Sequence, residues 1–236
     1  MNRLFVPTMG PSDWRRLLAD PGKQWVEAKS AYEAAVSWEA ARKTPRGIPP
    51  SLAAVLDSNE HFRDASLMLG IPEHQVALKG GGHASQTDFW ALISAPIGVV
   101  STAIEAKAGE PFDKTVRNWI AGAKPNSGKP DRLKQLCELL RIAEPDAMEC
   151  RYQLMHRPAA AILEAKRFHL TSALFLVQAF GPNEDSFRDY LAWAKLLGVA
   201  AGDGALQEAG KYDGVTLWVG WVSSPAADHV TVRAAV

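Results

Sequence analysis

One segment of nine residues, SALFLVQAF at 172–180, limits the folds open to this chain more than any other feature. It is almost wholly apolar, so a strand formed by it could expose neither of its faces to solvent. Such a strand belongs in the middle of a sheet, and that sheet must be covered on both faces. The segment therefore predicts an α/β protein with helices on both sides of a central sheet.

Three further segments have the β-branched and aromatic residues typical of strands, at 86–94, 99–108 and 214–222. The first two follow a strand that begins near residue 74 and a glycine turn, which together make a meander of three strands. We expect these segments to share one mixed sheet with residues 172–180. The predicted architecture is an α/β/α sandwich.

Helical spacing of apolar residues accounts for most of the remaining chain. The breaker TPRGIPP separates a helical N-terminal segment from a second helix, which we predict from Ser51 to Leu69. A later helical pattern contains Pro158 and should break or bend there, because proline lacks the N–H that a helix interior needs. We therefore predict a helical extension at 1–48 packed on one main domain at 49–236.

The net charge limits the partners that the chain can attract. Of the 236 residues, 26 are basic and 26 are acidic, so no global field draws nucleic acid or an anionic membrane towards the protein. This balance counts against a protein that coats nucleic acid without specificity. Local basic patches could still bind phosphates.

One loop is a candidate for such a patch, and a second, glycine-rich segment is not. The segment AKPNSGKPDRLK at 123–134 has four basic residues against one acid, and its glycine and prolines predict a surface loop that could meet phosphates. The segment KGGGH at 79–83 lacks the GxxxxGK pattern of a P-loop and precedes a strand rather than a helix. Its glycines predict a tight turn, and His83 is interpreted as structural.

Cysteine usage and the N-terminus indicate the compartment. Cys137 and Cys150 lie in helical segments and form no CxxC pair, so we predict reduced, buried thiols. The opening MNRLFVPTMGPSDW lacks the apolar core of a signal peptide. No apolar run reaches the roughly 20 residues that a membrane span needs. We expect a soluble cytoplasmic protein without a membrane partner.

Three charged residues, Asp88, Glu105 and Lys107, interrupt the predicted strands where apolar residues would be expected. Side chains alternate along a strand, so Glu105 and Lys107 point to one face and Ala106 to the other. Asp88 lies on the neighbouring strand of the meander, so we expect the three side chains to converge at one end of the sheet. Two carboxylates suit Mg²⁺ or Mn²⁺, with the Ala106 carbonyl as a third ligand, and the lysine can orient an attacking water.

An acidic residue followed by a strand that ends in Glu-x-Lys resembles the PD-(D/E)XK, or restriction-endonuclease-like, superfamily. The resemblance covers roughly residues 50 to 222 and includes GGGHASQTDFWAL, IEAKAGEPFDKTVRNWI, RYQLMHRPAAAILEA and ALFLVQAF, which are similar to a bacterial nuclease-like branch. It implies a restriction-endonuclease-like α/β/α sandwich with a central mixed sheet. It also implies that Asp88 and Glu105 bind Mg²⁺ or Mn²⁺ and that Lys107 assists the attacking water. The sequence departs from the motif at Thr87, where the superfamily has proline.

Other residues are weaker candidates for the same site. Gln153, His156 and Arg157 share one helical face by their spacing, and they could contact phosphate or substrate or could simply form a solvated face. Glu110 follows the motif strand and could support the site or cap the next helix. Glu60, on the predicted helix before the sheet, could supply another acid.

Two functions remain open at this point. The first is a Mg²⁺-dependent nuclease acting on DNA or RNA, as the acid-acid-lysine set implies, with a homodimer as one way to cleave both strands of a duplex. The second is a non-catalytic protein of the same fold that binds a protein or nucleic acid within a larger system, such as phage defence. Charged pairs on a strand can also protect a sheet edge and carry no function.

Overall fold

A mixed sheet of six strands forms the centre of the protein, for which the computed structural model describes residue 4, residue 6, residues 8–124 and residues 126–226. The strands are β1 (Ser66–Val76), β2 (Ser85–Ala95), β3 (Gly98–Lys107), β4 (Ser172–Phe180), β5 (Leu206–Tyr212) and β6 (Val215–Ser224). Their order across the sheet is β1-β2-β3-β4-β6-β5. Strands β3, β4 and β6 are parallel neighbours, and the remaining pairs are antiparallel. The four segments predicted to share one sheet all lie in it.

Helices cover both faces of this sheet. They are α1 (Pro21–Gln24), α2 (Ser30–Ala41), α3 (Pro50–Asp57), α4 (Val116–Ala121), α5 (Lys129–Leu140), α6 (Glu144–Ala147), α7 (Tyr152–Arg167) and α8 (Glu184–Leu196), with a 3-10 helix at Pro11–Leu17. One apolar core lies between the sheet and the N-terminal helices α2 and α3. A second core lies between the opposite face and helices α5, α7 and α8. Strand β4 is buried along its whole length, as its apolar sequence predicted.

The N-terminal helical segment supplies one of the two helical layers. Trp38 of α2 stacks on Phe89 of β2 with ring centroids 3.9 Å apart, and Trp14 stacks on the same ring at 5.7 Å. The indole N–H of Trp38 also donates to Oε1 of Gln178 in β4. The segment predicted as an extension at 1–48 therefore shares a core with the sheet.

Two elements differ from the sequence prediction. The helix predicted from Ser51 to Leu69 ends at Asp57, and its last residues belong to β1, where Leu67 pairs with Ile93. Leucine and methionine favour a helix locally, but pairing with β2 buries this segment against the sheet. Strand β5 was missed because its sequence, LQEAGKY, is polar and contains glycine. Such a composition is tolerated at the outer edge of a sheet, where β5 lies.

Of the two outcomes predicted at Pro158, a break does not occur, because α7 continues through this residue as one element. The two cysteines, Cys137 and Cys150, are free and buried, as predicted. None of the helices in the described ranges combines the length and the apolar character that a membrane crossing requires.

Candidate active site

The charged residues of β2 and β3 meet at one end of the sheet. Phe89 pairs with Ile104, so Asp88 stands opposite Glu105 one step further along the two strands. The Ala106 N–H donates a hydrogen bond to Oδ2 of Asp88 over 2.7 Å. The N–H and C=O of one strand residue face the same neighbour, so the Ala106 carbonyl also lies on the side of Asp88. The predicted convergence of these side chains is present.

Glu105 is buried between two cations. Lys107 Nζ lies 2.6 Å from Oε1 of Glu105, and Arg157 Nε lies 2.6 Å from Oε2. Glu105 is only 1% exposed. Burial alone would raise the pKa of Glu105, but the Arg157 guanidinium and the Lys107 ammonium together hold this pKa below its ordinary value. Both of its oxygens are therefore neutralised by donors from the protein itself.

Helix α7 supplies two of the site's side chains. Arg157 is buried, and although burial opposes its charge, the carboxylates of Glu105 and Asp88 raise the pKa of its guanidinium. Gln153 lies one turn earlier, where its Oε1 accepts from Lys107 Nζ at 3.3 Å and from the Asp113 N–H at 2.9 Å. The spacing of four residues that the sequence showed places both side chains over β3. Gln153 thereby gives the Lys107 ammonium a second acceptor besides Glu105.

Glu73 of β1 is a residue of this site that the sequence interpretation missed. Its Oε2 accepts from the Gln86 amide over 2.8 Å, and burial, followed by the negative charge of Asp88, raises the pKa of Glu73 well above its ordinary value. Within the described strands it is the one non-glycine residue with a positive φ, at 54°. Such backbone strain is common at functional sites. The signal that could have found it is the acid in GIPEH, the segment between the predicted end of the helix and the predicted start of the strand.

Asp88 lies in the same negatively charged surroundings as Glu73. Its burial and then the charge of Glu105 raise the pKa of Asp88 to about 7, although Arg157 and Lys107 act in the opposite direction. The site thus contains three carboxylates, from Glu73, Asp88 and Glu105, and two buried cations. If all three carboxylates were ionised, the site would carry one negative charge more than its two cations balance. Burial and this repulsion together raise the pKa values of Glu73 and Asp88.

A hard divalent cation fits this charge, with oxygen ligands from Asp88 and the Ala106 carbonyl. Glu105 could join only by sharing an oxygen with Lys107 or Arg157, since each oxygen already accepts from one of them. Within residues 8–124 and 126–226, no group of three or more histidine, cysteine, aspartate or glutamate side chains is arranged to hold a metal ion. Asp88 and the Ala106 carbonyl match Mg²⁺ or Mn²⁺ in charge and donor type, but they provide few protein ligands.

The raised pKa of Asp88 predicts a measurable dependence of stability on pH. The folded protein holds this proton with a pKa of about 7 against the ordinary 3.8, so the resulting stability is fully present below pH 3.8 and is lost as the pH rises through 7. Asparagine cannot ionise, so Asp88→Asn should become progressively more stable relative to the wild type across this range. Urea denaturation in chelator at about pH 5 and about pH 8 measures the difference. A difference that does not change with pH would contradict the assignment.

His156 lies on α7 but contacts a different group. Its Nδ1 is 2.7 Å from the Ser85 hydroxyl, and its ring packs against Tyr152. Burial, followed by the charges of Arg157 and Arg132, lowers the pKa of His156 well below its ordinary value, so the imidazole is neutral. Of the helix residues singled out by spacing, Arg157 donates to Glu105 and Gln153 accepts from Lys107, whereas His156 anchors α7 to the start of β2. Its substrate contact stays a prediction.

Among the described residues, neither Glu60 nor Glu110 forms a hydrogen bond or ion pair with the site. Glu60 is exposed in a turn after α3, not on a helix, and its neighbour His61 accepts from Ile97 at the β2–β3 turn, the opposite end of the sheet. Glu110 follows β3, and its carbonyl accepts from Ser186. Both carboxylate oxygens of Glu110 are buried with no hydrogen-bond partner among the described residues. A role in supporting the site stays a prediction for both.

Comparison with known proteins gives one match. The model of a protein family described as a domain of unknown function (DUF6946) matches residues 7–226. No curated protein and no solved structure matches the chain significantly. The site must therefore be interpreted from its own chemistry.

Proposed function

Because the chain belongs to the DUF6946 family, whose function is unknown, we propose an activity from the site itself: metal-dependent hydrolysis of phosphodiester bonds in DNA or RNA. The observation that carries the proposal is the convergence of Asp88, Glu105 and Lys107 at one end of a mixed sheet. The resemblance to the PD-(D/E)XK superfamily supports it, as does a mixed sheet covered by helices on both faces. We propose that the sandwich is of the restriction-endonuclease-like type.

The carboxylates provide the place for the cation that this activity needs. Asp88 and the Ala106 carbonyl would hold Mg²⁺ or Mn²⁺, and Glu105 would contribute one oxygen. When bound, the cation would polarise the scissile phosphate and make an attacking water more acidic. Glu73 lies beside Asp88, and burial and the charge of Asp88 raise the pKa of Glu73, so a bound cation would compete with a proton at this position.

The cations of the chain have separate roles in this proposal. Lys107 is held by Glu105 and Gln153, so its ammonium is fixed without being a metal ligand and can orient a water for attack on phosphorus. Arg157 donates to the other oxygen of Glu105 and keeps that carboxylate ionised. Arg157 is thus a positioning residue. Nucleic acid is the expected partner of this activity. Two copies of the site would be needed to cut both strands of a duplex, so a homodimer is the expected assembly for that substrate.

A second function is favoured by a different observation. Both oxygens of Glu105 are already engaged by Lys107 and Arg157, so this carboxylate is stable without a metal. The chain also has no net charge. These features suit a non-catalytic protein that binds a protein or nucleic acid within a larger system, such as phage defence. Such a protein would use the carboxylate and its cations to hold β3 to α7.

Glu105→Gln separates the two functions. The amide keeps the size of the side chain and one oxygen acceptor but removes the charge, so we expect cleavage of mixed DNA and RNA substrates in Mg²⁺ or Mn²⁺ to fall by about 10²–10³-fold. Gel assays of cleavage would measure this.

Glu39→Gln is the matched control, because Glu39 is also buried, accepts from Trp14 and Thr8, and has no described hydrogen bond or ion pair with Asp88, Glu105 or Lys107. It should leave cleavage unchanged. A wild type that cleaves no substrate with either ion, or a Glu105→Gln variant as active as the wild type, would exclude the nuclease.

A further inference from the structure

The glycine turn at 79–83 and the basic loop at 123–134 are joined in the structure. Gly80 and Gly128 touch backbone to backbone, so closely that a Cβ on Gly80 would lie 1.8 Å from the Gly128 carbonyl oxygen. No other residue type could occupy either position without moving a loop. The contact joins the β1–β2 turn to the loop before α5. Lys124 begins the turn that precedes Gly128, since the Ser127 N–H donates to the Lys124 carbonyl.

Arg132 sets the shape of the β1–β2 turn. It is buried, and its guanidinium donates to the carbonyls of Lys79, Gly81 and His83. No carboxylate pairs with Arg132 in the described parts of the chain, so these carbonyls provide most of the compensation for a buried charge. Gly80, Gly81 and Gly82 all have φ between 65° and 80°. This conformation lets the carbonyls of alternate residues turn towards the Arg132 guanidinium.

This arrangement leaves the opposite side of the turn rich in donors. The C=O and N–H of a trans peptide unit point in opposite directions, so the N–H groups of Gly80, Gly82 and Ala84 point away from Arg132. None of the three donates to a protein group in the described ranges. Lys79 and His83 are exposed beside them, and Lys124 is exposed across the Gly80–Gly128 contact. Backbone N–H groups beside lysines are a common way to bind phosphate oxygens.

The turn also lies at the end of the sheet that holds the carboxylates. Strand β2 begins at Ser85, directly after the turn, and Asp88 is its fourth residue. At about 3.3 Å per residue, His83 is roughly 16 Å along the strand from Asp88, a distance of a few nucleotide steps. In a chain with no net charge, this turn exposes Lys79 and His83, and Lys124 is exposed on the adjoining loop.

We propose that the outer surface of the 79–84 turn, together with Lys124, binds the phosphodiester backbone of a nucleic acid and holds it beside the carboxylate site. The inference rests on the proposed function, because it identifies where the substrate of that activity is bound. The contacts are made by main-chain N–H groups and by lysine, so they recognise phosphates and not base sequence. Arg132 acts indirectly, as the residue that keeps the N–H groups turned outwards.

The test measures binding separately from cleavage. Fluorescence anisotropy of labelled single-stranded and duplex oligonucleotides, in chelator and at several salt concentrations, gives the affinity and its salt slope. For the double variant Lys79→Glu/Lys124→Glu we expect binding roughly tenfold weaker and a log–log salt slope smaller by about 2, since two phosphate contacts are lost. The control Lys195→Glu/Lys211→Glu changes two exposed lysines, one on α8 and one on the opposite edge strand β5, and should leave both quantities unchanged.

A second measurement reports on the main chain. In ¹H–¹⁵N spectra, the amide signals of Gly80, Gly82 and Ala84 should shift on addition of the oligonucleotide, which a purely electrostatic effect of the lysines would not require. Equal affinities and slopes for the Lys79/Lys124 variant and the wild type, or a wild type that binds no nucleic acid, would overturn the binding surface. Specific loss of binding in a protein that cleaves nothing would leave the surface standing and overturn the nuclease instead.

Discussion

Arg157→Ala is expected to lower the free energy of unfolding by about 3–5 kcal/mol, because it leaves Oε2 of the buried Glu105 without its partner. The ion pair spans 2.6 Å and both side chains are almost fully buried, so water cannot replace the guanidinium without opening the packing of α7 on β3. Lys107 alone would then have to balance a carboxylate that also repels Asp88. Urea denaturation monitored by circular dichroism at about pH 8 measures the loss.

Two variants define what the loss means. Arg188→Ala removes the guanidinium of an ion pair that is exposed on α8, so its effect should stay within about 0.5 kcal/mol. Combining Arg157→Met with Glu105→Gln removes both charges and should recover part of the stability, since no unpaired charge remains buried. If Arg157→Ala costs less than about 1 kcal/mol, the pair does not hold α7 to the sheet, and the assignment of Arg157 as the support of Glu105 fails.

Lys107→Met should remove most of the activity while leaving Mg²⁺ binding in place. The methionine keeps an apolar stem over the Phe112 ring, above which the lysine Nζ lies 4.8 Å from the centroid, but it removes the ammonium. We expect cleavage to fall by about 10³-fold, because a fixed donor beside the reacting phosphate is lost. Mg²⁺ binding measured by calorimetry should change little, since the lysine is not a ligand.

Asp88→Ala is the comparison for that variant. It removes a proposed ligand, so both Mg²⁺ binding and cleavage should be lost together. Melting curves of each variant ensure that only folded protein is compared, because Lys107→Met also leaves Oε1 of Glu105 without a donor. A Lys107→Met protein that cleaves within tenfold of the wild type would remove the lysine from the reaction. Mg²⁺ binding that does not depend on Asp88 or Glu105 would remove the cation site.

Much of the fold follows from local patterns along the chain. The apolar run at 172–180 predicted a central strand covered on both faces, and β4 is that strand. Alternation placed Glu105 and Lys107 on one face, and helical spacing placed Gln153 and Arg157 together. These inferences succeed because the direction of a side chain depends on the periodicity of its own segment, which a few neighbouring residues determine.

Contacts between distant segments depended on the tertiary structure. Glu73 is brought to Asp88 only because β1 pairs with β2, which required residues with helical preference to become a strand. His156 is next to Arg157 on α7, yet it contacts Ser85 and not Glu105. Arg157 contacts Glu105, from which it is 52 positions away in the sequence. The contact of Gly80 with Gly128 likewise unites two loops that the sequence could only treat separately.

The sequence by itself therefore determined the central strands of the sheet, its two helical layers and the residue types at the end of β3. Only the tertiary structure decided that Glu105 is shared between Lys107 and Arg157 and that Asp88 and Glu73 are left with the excess negative charge. The physical reason is that charge balance in a buried site is a sum over groups from several elements. A periodic pattern states where each side chain points along its own strand or helix, but not which charges the folded chain will bring within a few ångströms of it.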